Sequence, residues 1–280
     1  MTSKVYDVVA DRIIEALDKG IVPWRKPWSI PAGMKPQNSQ GRPYNGINSI
    51  LLGMTTYQDP RWLTYKKAAE AGGQVRKGEK SMPVTFWKIS EYENADGEIK
   101  KSFILRYYSV FNIAQIDGLE LPPLEGLIDR PDVDPIAAAE TIIANMPNKP
   151  AMAHDGGGSA FYIPLQDSIH LPPRNAFDDS GEYYSTAFHE LGHATGHKSR
   201  LNRHGMETGI AKFGSAVYSR EELAAEFTSA FLCHESGIEN TIENSSAYIG
   251  GWISKLRNDK SLAIQAASQG QKAANYILGN

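Results

Sequence analysis

The segment Thr186-Ala-Phe-His189-Glu190-Leu191-Gly192-His193-Ala-Thr-Gly196-His197 carries two histidines four residues apart with a glutamate between them. On a helix this spacing stacks the two imidazoles one turn apart, roughly 6 Å along the axis, so both can reach one ion. Neutral imidazole nitrogen binds zinc at about 2.1 Å, and two such ligands leave room for a third protein group and a water. Glu190 projects about 100° around the helix from His189, where a carboxylate can take a proton from that water as general base. At this chain's composition, H-E-x-x-H arises by chance roughly one time in a hundred. The bland alternative is a surface helix with two histidines, and the surrounding pattern weighs against it.

A catalytic zinc needs a third protein ligand. The pattern H-E-x-x-H-x-x-G-x-x-H fails here, because Gly196 is present but Ser199 occupies the last position. His197 continues the four-residue ladder but lies about 12 Å along a straight helix from His189, too far to share one ion. It is assigned to support of the site or to a structural role, not to ligation. Downstream, Ser219-Arg220-Glu221-Glu222-Leu-Ala-Ala-Glu226-Phe227 reads as a helix with Glu222 and Glu226 on one face. Spacing leaves both glutamates open as the ligand, and Ser219-x-x-Glu222 could equally be a capping box. This helix resembles the E-x-x-x-[DE] helix of glutamate-zincins. That resemblance implies Glu222 on the metal and Glu226 hydrogen-bonded to a ligating histidine.

Stepping out to the chain, 280 residues suffice for two domains of ordinary size, and 41% hydrophobic with 22% charged residues is the composition of a soluble globular protein. No apolar run approaches the ~18 residues of a membrane span, and the N-terminus lacks the apolar core of a signal peptide. The single cysteine, Cys233, has no internal partner, which fits a reducing cytoplasm and a small core side chain. Net charge is −3 but unevenly spread: residues 1–120 carry 17 Lys+Arg against 13 Asp+Glu, and residues 121–280 carry 12 against 19. Between 20 and 90 the count is 11 basic to 3 acidic, so the first half is built for an anionic partner.

Positioning elements can be read in order. Residues 3–19 form an amphipathic helix with Val5, Val9, Ile13 and Leu17 as its stripe, ended by Gly20. Prolines at 23 and 27 make 21–28 irregular, and an extended polar loop follows to Asn48. Short helices are expected at 50–54 and 65–71, then a hairpin of 82–90 and 101–113 turning at Asp96-Gly97. Residues 121–133 read as a Pro-rich acidic linker between a domain of 1–120 and one of 134–280. In the second domain a helix at 134–145 and short strands at 151–153, 158–164 and 168–171 precede four helices. One of the four, from about Tyr183, carries the histidines and the next carries Glu222; the last two span 246–259 and 261–278. The Gly156–Gly158 run lacks the lysine and helix of a phosphate loop. The fold class is α+β in two domains, the first with an antiparallel hairpin and the second zincin-like.

In the basic half, aromatic residues interleave with cations, as single-stranded nucleic acid requires for stacking and phosphate contact. The candidate contacts are Trp24, Arg25, Lys26, Trp28, Arg42, Tyr44, Trp62, Lys66, Arg76, Lys77, Lys80 and Arg106. The competing fate of an aromatic is the core, and Trp87, on a strand, is the expected core tryptophan.

The whole chain resembles the ArdC-type antirestriction proteins of conjugative plasmids. The resemblance is carried by Gly20-Ile-Val-Pro23-Trp24-Arg25-Lys26-Pro27-Trp28, Gly41-Arg42-Pro43-Tyr44-Asn45-Gly46-Ile47-Asn48, Gly78-Glu79-Lys80 and Tyr108-Ser-Val-Phe111-Asn112. In the second half it rests on the His189–His197 segment, Arg200-Leu-Asn-Arg203 and Glu221-Glu222-Leu-Ala-Ala-Glu226. It implies an N-terminal single-stranded DNA-binding domain, a C-terminal zincin-like metallopeptidase domain, and protection of incoming plasmid or phage DNA from host restriction. The site implies Zn2+, with Mn2+ or another divalent ion as alternatives, and an enzyme if the site turns over. Two other readings compete: a DNA-recruited metalloprotease whose main role is to cut a DNA-bound protein, and a DNA-binding protein with a purely structural metal. Tyr183, Tyr218, Arg203 and His204 are the candidates to stabilise a tetrahedral oxyanion.

Overall fold

A computed structural model describes residues 4–25, 29–94, 97–119, 121–122, 124, 134–203, 215–239 and 246–280. Helix α1 (Lys4–Asp18) follows the four-residue apolar stripe, burying Val5, Val9, Ile13 and Leu17. Gly20 ends it at φ 76°, a left-handed conformation that glycine takes without a Cβ penalty. Helix α2 (Ile47–Gly53) begins three residues earlier than expected, and its buried face joins two clusters. Helix α3 (Tyr65–Glu70) is capped by Thr64, whose side chain accepts from the Lys67 backbone N–H.

The long hairpin pairs β3 (Met82–Glu93) with β4 (Ile99–Asn112), and β1 (Trp62–Leu63) adds to the other edge of β4 to give the order β1-β4-β3. A second small ladder joins β2 (Gln74–Val75) to β5 (Ile116–Asp117). Two-residue strands such as β1, β2 and β5 carry no legible periodicity, so the sequence does not announce them. Only the base of the hairpin is covered. Val84 and Val110 sit in a cluster with Tyr44, Leu52 and Trp62, while Phe86, Trp87, Ile89, Tyr92, Phe103 and Ile104 are exposed.

In the second half, α4 (Pro135–Asn145) starts with proline at its first position and Asp134 as cap. Strands β6 (Ala151–Ala153), β7 (Phe161–Ile163) and β8 (Ser168–His170) form a sheet of order β6-β8-β7. Helices α5 (Ser180–Ala194), α6 (Ala216–Ser236), α7 (Ser246–Asn258) and α8 (Leu262–Ile277) complete it. Helix α6 is the centre: α5 and α8 both pack on it, so small and apolar side chains run all round it. Glycines let the backbones approach. A Cβ on Gly192 of α5 would stand 3.1 Å from the Ala225 Cα, and one on Gly270 of α8 would stand 2.9 Å from the Ala224 carbonyl oxygen. Cys233 is buried on α6, and burial pushes its thiol up to about 12.

The α+β, two-domain layout holds, but the halves do not pack separately. The stripe of α1 lies in one cluster with Trp252, Leu256 and Ile264 of α7 and α8, and Lys260 pairs with Asp7 at 2.8 Å. Most of the expected linker 121–133 lies outside the described residues, as does Asp96 of the hairpin turn.

Candidate metal centre

Asp179 caps α5 by accepting from the Glu182 N–H, and the helix then presents His189 and His193 on one face. Their Nε2 atoms stand 3.1 Å apart. Helix α6, drawn close at Gly192, brings Glu222 to them: its two oxygens lie 3.7 Å from His189 Nε2 and 3.5 Å from His193 Nε2. The ligand atoms of this trio all fall within 4.8 Å of one another. Donors about 2.1 Å from a shared tetrahedral ion stand about 3.4 Å apart, so the three separations fit a divalent cation. Glu190, 7% exposed, shares with His189 and Glu222 the wall of a cavity of ≈ 330 Å³ that Arg25 and Glu226 also line.

The charges suit a cation as well. Burial works against protonation of His189, yet its hydrogen bond with Glu222 and the charges of Glu226, Glu190 and Glu222 hold it up at about 9. Burial likewise opposes ionisation of Glu222, and the two histidines outweigh it, holding the carboxyl below its usual range. With Glu226 paired to Arg25, the carboxylates of Glu222 and Glu190 are the ones left to offset the charge of a divalent ion.

The histidine supports differ from the expectation. Glu226 bonds no ligand; its carboxylate accepts from Arg25 at 2.9 Å and from the Tyr248 hydroxyl at 2.7 Å. Glu221 takes that place, with Oε1 3.3 Å from His193 Nδ1. Arg203, which is buried, clamps Glu221 through Nε at 3.0 Å and also donates to the Gly192 carbonyl at 2.8 Å. Burial would push the Glu221 carboxyl up, but the hydrogen bonds from His193 and Arg203 prevail and hold it at about 2. An ionised Glu221 fixes the Nδ1–H tautomer of His193 and leaves Nε2 free for a metal. The acidic doublet Glu221-Glu222 is the signal that could have exposed this, one member for the metal and one for its ligand.

Of its two readings, His197 takes the structural one. The chain turns beyond α5 after Ala194, and His197 Nδ1 meets the Ser199 hydroxyl at 2.8 Å, with Asp167 at 3.9 Å, rather than the histidines or Glu222. Of the oxyanion candidates, Tyr218 alone is tied to the trio. Burial, then the charge and hydrogen bonding of Glu222, push its phenol up to about 12. Tyr183 is 3.0 Å from His154 Nε2 through its hydroxyl, Arg203 is committed to Glu221, and His204 lies outside the described residues.

The proposed DNA contacts separate sharply. Trp24 and Trp62 are 2% exposed and Tyr44 is 9% exposed, so none offers a face for stacking. Trp24 stands edge-on to Phe227 and Trp252, and its indole donates to Tyr248. Arg25 turns inward to Glu226 and over the Tyr248 ring, 4.2 Å from its centroid. Arg76 is exposed but spent on Glu79, Asp117 and the Ala114 carbonyl. Arg42, Lys66, Lys77, Lys80 and Arg106 are exposed, while Lys26 and Trp28 lie outside the described residues. Trp87, expected in the core, is 53% exposed. Its cross-strand partner Leu105 takes the buried place on that face, in the main core cluster, a choice between paired residues that alternation does not reveal.

Among the described residues, no helix is long and apolar enough to cross a membrane. Residues 3–111 match the family described as the N-terminal domain of anti-restriction factor ArdC, and residues 137–269 match one described as zincin-like metallopeptidase. The antirestriction protein ArdC of plasmid R388 is similar in structure: 36% identity, TM-score 0.75, covering 99% of this chain and 97% of that one. Its Mn(II)-bound form gives 35% and 0.74 over 98% of this chain and 97% of that one. A DNA primase TraC of Escherichia coli is 40% identical over 98% of this chain, which spans only 27% of that relative's length.

Proposed function

This chain belongs to the ArdC antirestriction family, with a zincin-like second domain, and from that premise we propose that it binds single-stranded DNA and protects incoming DNA from host restriction, using a metal-dependent peptidase site. The observation that carries the peptidase part is the convergence of His189, His193 and Glu222 on one point, with Glu190 on the cavity wall that His189 and Glu222 share. His189, His193 and Glu222 would hold the ion, Zn2+ being the fit to two imidazoles and a carboxylate. When bound, it supplies Lewis acidity toward water and a peptide carbonyl. Glu190 takes the proton from the attacking water and returns it to the departing amine, the general-base and general-acid halves of one cycle. Tyr218, beside Glu222, donates to the developing oxyanion. Glu221 and Arg203 keep His193 in its ligating tautomer throughout.

Glu190→Gln keeps the size of the side chain and removes the base. The variant should retain metal and single-stranded DNA affinity yet lose most of the protection given to unmodified plasmid entering a restricting host. Full protection by a metal-loaded Glu190→Gln protein would detach antirestriction from peptide hydrolysis.

A further inference from the structure

Seven of the thirteen exposed large hydrophobic side chains among the described residues lie on the β3–β4 hairpin, so its outer arm is an unpartnered surface rather than a sparse one. Register sorts this arm into two unlike faces, because residues paired across an antiparallel ladder share a face and neighbours along a strand alternate. Phe86 pairs with Arg106, Lys88 with Ile104 and Tyr92 with Lys100. The outer arm of that face carries two aromatics and three cations, with Glu98 beside Lys100 as its carboxylate. Trp87, Ile89, Glu91 and Glu93 fall on the other face, where Lys101 stands 3.8 Å from Glu91.

We propose that single-stranded DNA lies along the Phe86–Tyr92 face of this hairpin, with Phe86 and Tyr92 stacking on bases and Lys88, Lys100 and Arg106 meeting phosphates. This deepens the reading of the N-terminal half as a single-strand binder and rests on it. Phe86 is 42% and Tyr92 52% exposed, and Phe86 is braced edge-on against Tyr108 at 5.6 Å, so it presents a ring held from one side. Six residues of strand separate the two rings by about 20 Å, room for several nucleotides between two stacking points. Lys88 and Arg106 have no ion-pair partner among the described residues, and Lys100 has only the exposed Glu98 at 3.4 Å. On the other face Glu91 and Glu93 outnumber Lys101, a balance that disfavours a phosphate chain there. Flat rings on an open sheet meet base faces only when bases are unpaired, which selects single strands over duplex.

The test uses the full chain and a fluorescein-labelled oligothymidine, with anisotropy followed across a salt series. Phe86→Ala with Tyr92→Ala should weaken binding at least about tenfold at every salt concentration. Lys88→Gln with Lys100→Gln and Arg106→Gln should flatten the slope of log affinity against log salt by about two units, at about 0.7 per phosphate. Trp87→Ala with Phe103→Ser, on the opposite face, should leave both unchanged. All of these side chains are exposed, and thermal unfolding checks that each variant folds. Wild-type binding in both Phe86-face variants, or an equal loss from the opposite face, overturns the assignment and leaves the single-strand reading intact. A wild-type chain that fails to bind the oligothymidine removes that reading, and this inference with it.

Discussion

Glu221 and Glu226 sit one turn or so apart on α6, and the structure exchanges what the sequence suggests for Glu226. A five-residue difference on a helix rotates a side chain by about 140°, so Glu221 reaches back to His193 and Glu226 faces Arg25. The H-E-x-x-H residues were legible because their spacing matches a turn, and Glu222 came only from the resemblance to glutamate-zincins; the choice between carboxylates depends on Arg25 and Arg203, which arrive from remote segments. We expect Glu221→Gln to weaken metal binding ~10–100-fold, the usual cost of losing a ligand's hydrogen-bond partner, and Glu226→Gln to weaken it less. Competition against a chelating indicator measures both, and the reverse order would return Glu226 to the histidine.

At the scale of elements, the helices were readable to within a few residues wherever an apolar stripe met a cap, as in α1 and α4. Helix α6 was readable by its chemistry rather than its stripe, since α4, α5 and α8 all pack on it. What the sequence hid is how α5 is moored. Arg200, just past α5, donates to the Ala194 carbonyl at 2.7 Å and pairs with Asp167 in the turn between β7 and β8, which also accepts from the Tyr162 hydroxyl. Burial raises the Asp167 carboxyl, but the hydrogen bonds from Arg200 and Tyr162 prevail and hold it below its usual range. A depressed carboxyl stabilises the fold above its unfolded pKa of about 3.9 and loses that contribution as pH falls through the lower folded value. Melting temperature should therefore fall below pH ~4 more steeply in the wild type than in Asp167→Asn, which already lacks the charge at pH 7. Parallel acid limbs in the two proteins would show that this pair does not moor the helix.

Across the whole molecule, the charge asymmetry and the Pro-rich stretch pointed to two independent modules, and composition cannot show that a core crosses between them. Trp24 makes the crossing concrete: it comes from the basic half and is buried against Phe227 and Trp252 of the other. Trp24→Ala should cost about 3–5 kcal/mol of stability, as removal of a buried aromatic does. Denaturant unfolding measures that loss, and a folded variant should keep the wild-type salt dependence of DNA binding. A stability unchanged by Trp24→Ala would mean that the halves do not depend on this contact.

The seat of α1 against α7 and α8 also sets an order of events during synthesis. Helix α1 leaves the ribosome before the side chains that will cover Val5, Val9, Ile13 and Leu17, which include Trp252, Leu256 and Ile264. At about 5–20 residues per second, their arrival takes on the order of ten seconds or more. Burial of α1 therefore waits on α7 and α8, and its apolar stripe stays open to chaperones, or to other nascent chains, until those helices have been made.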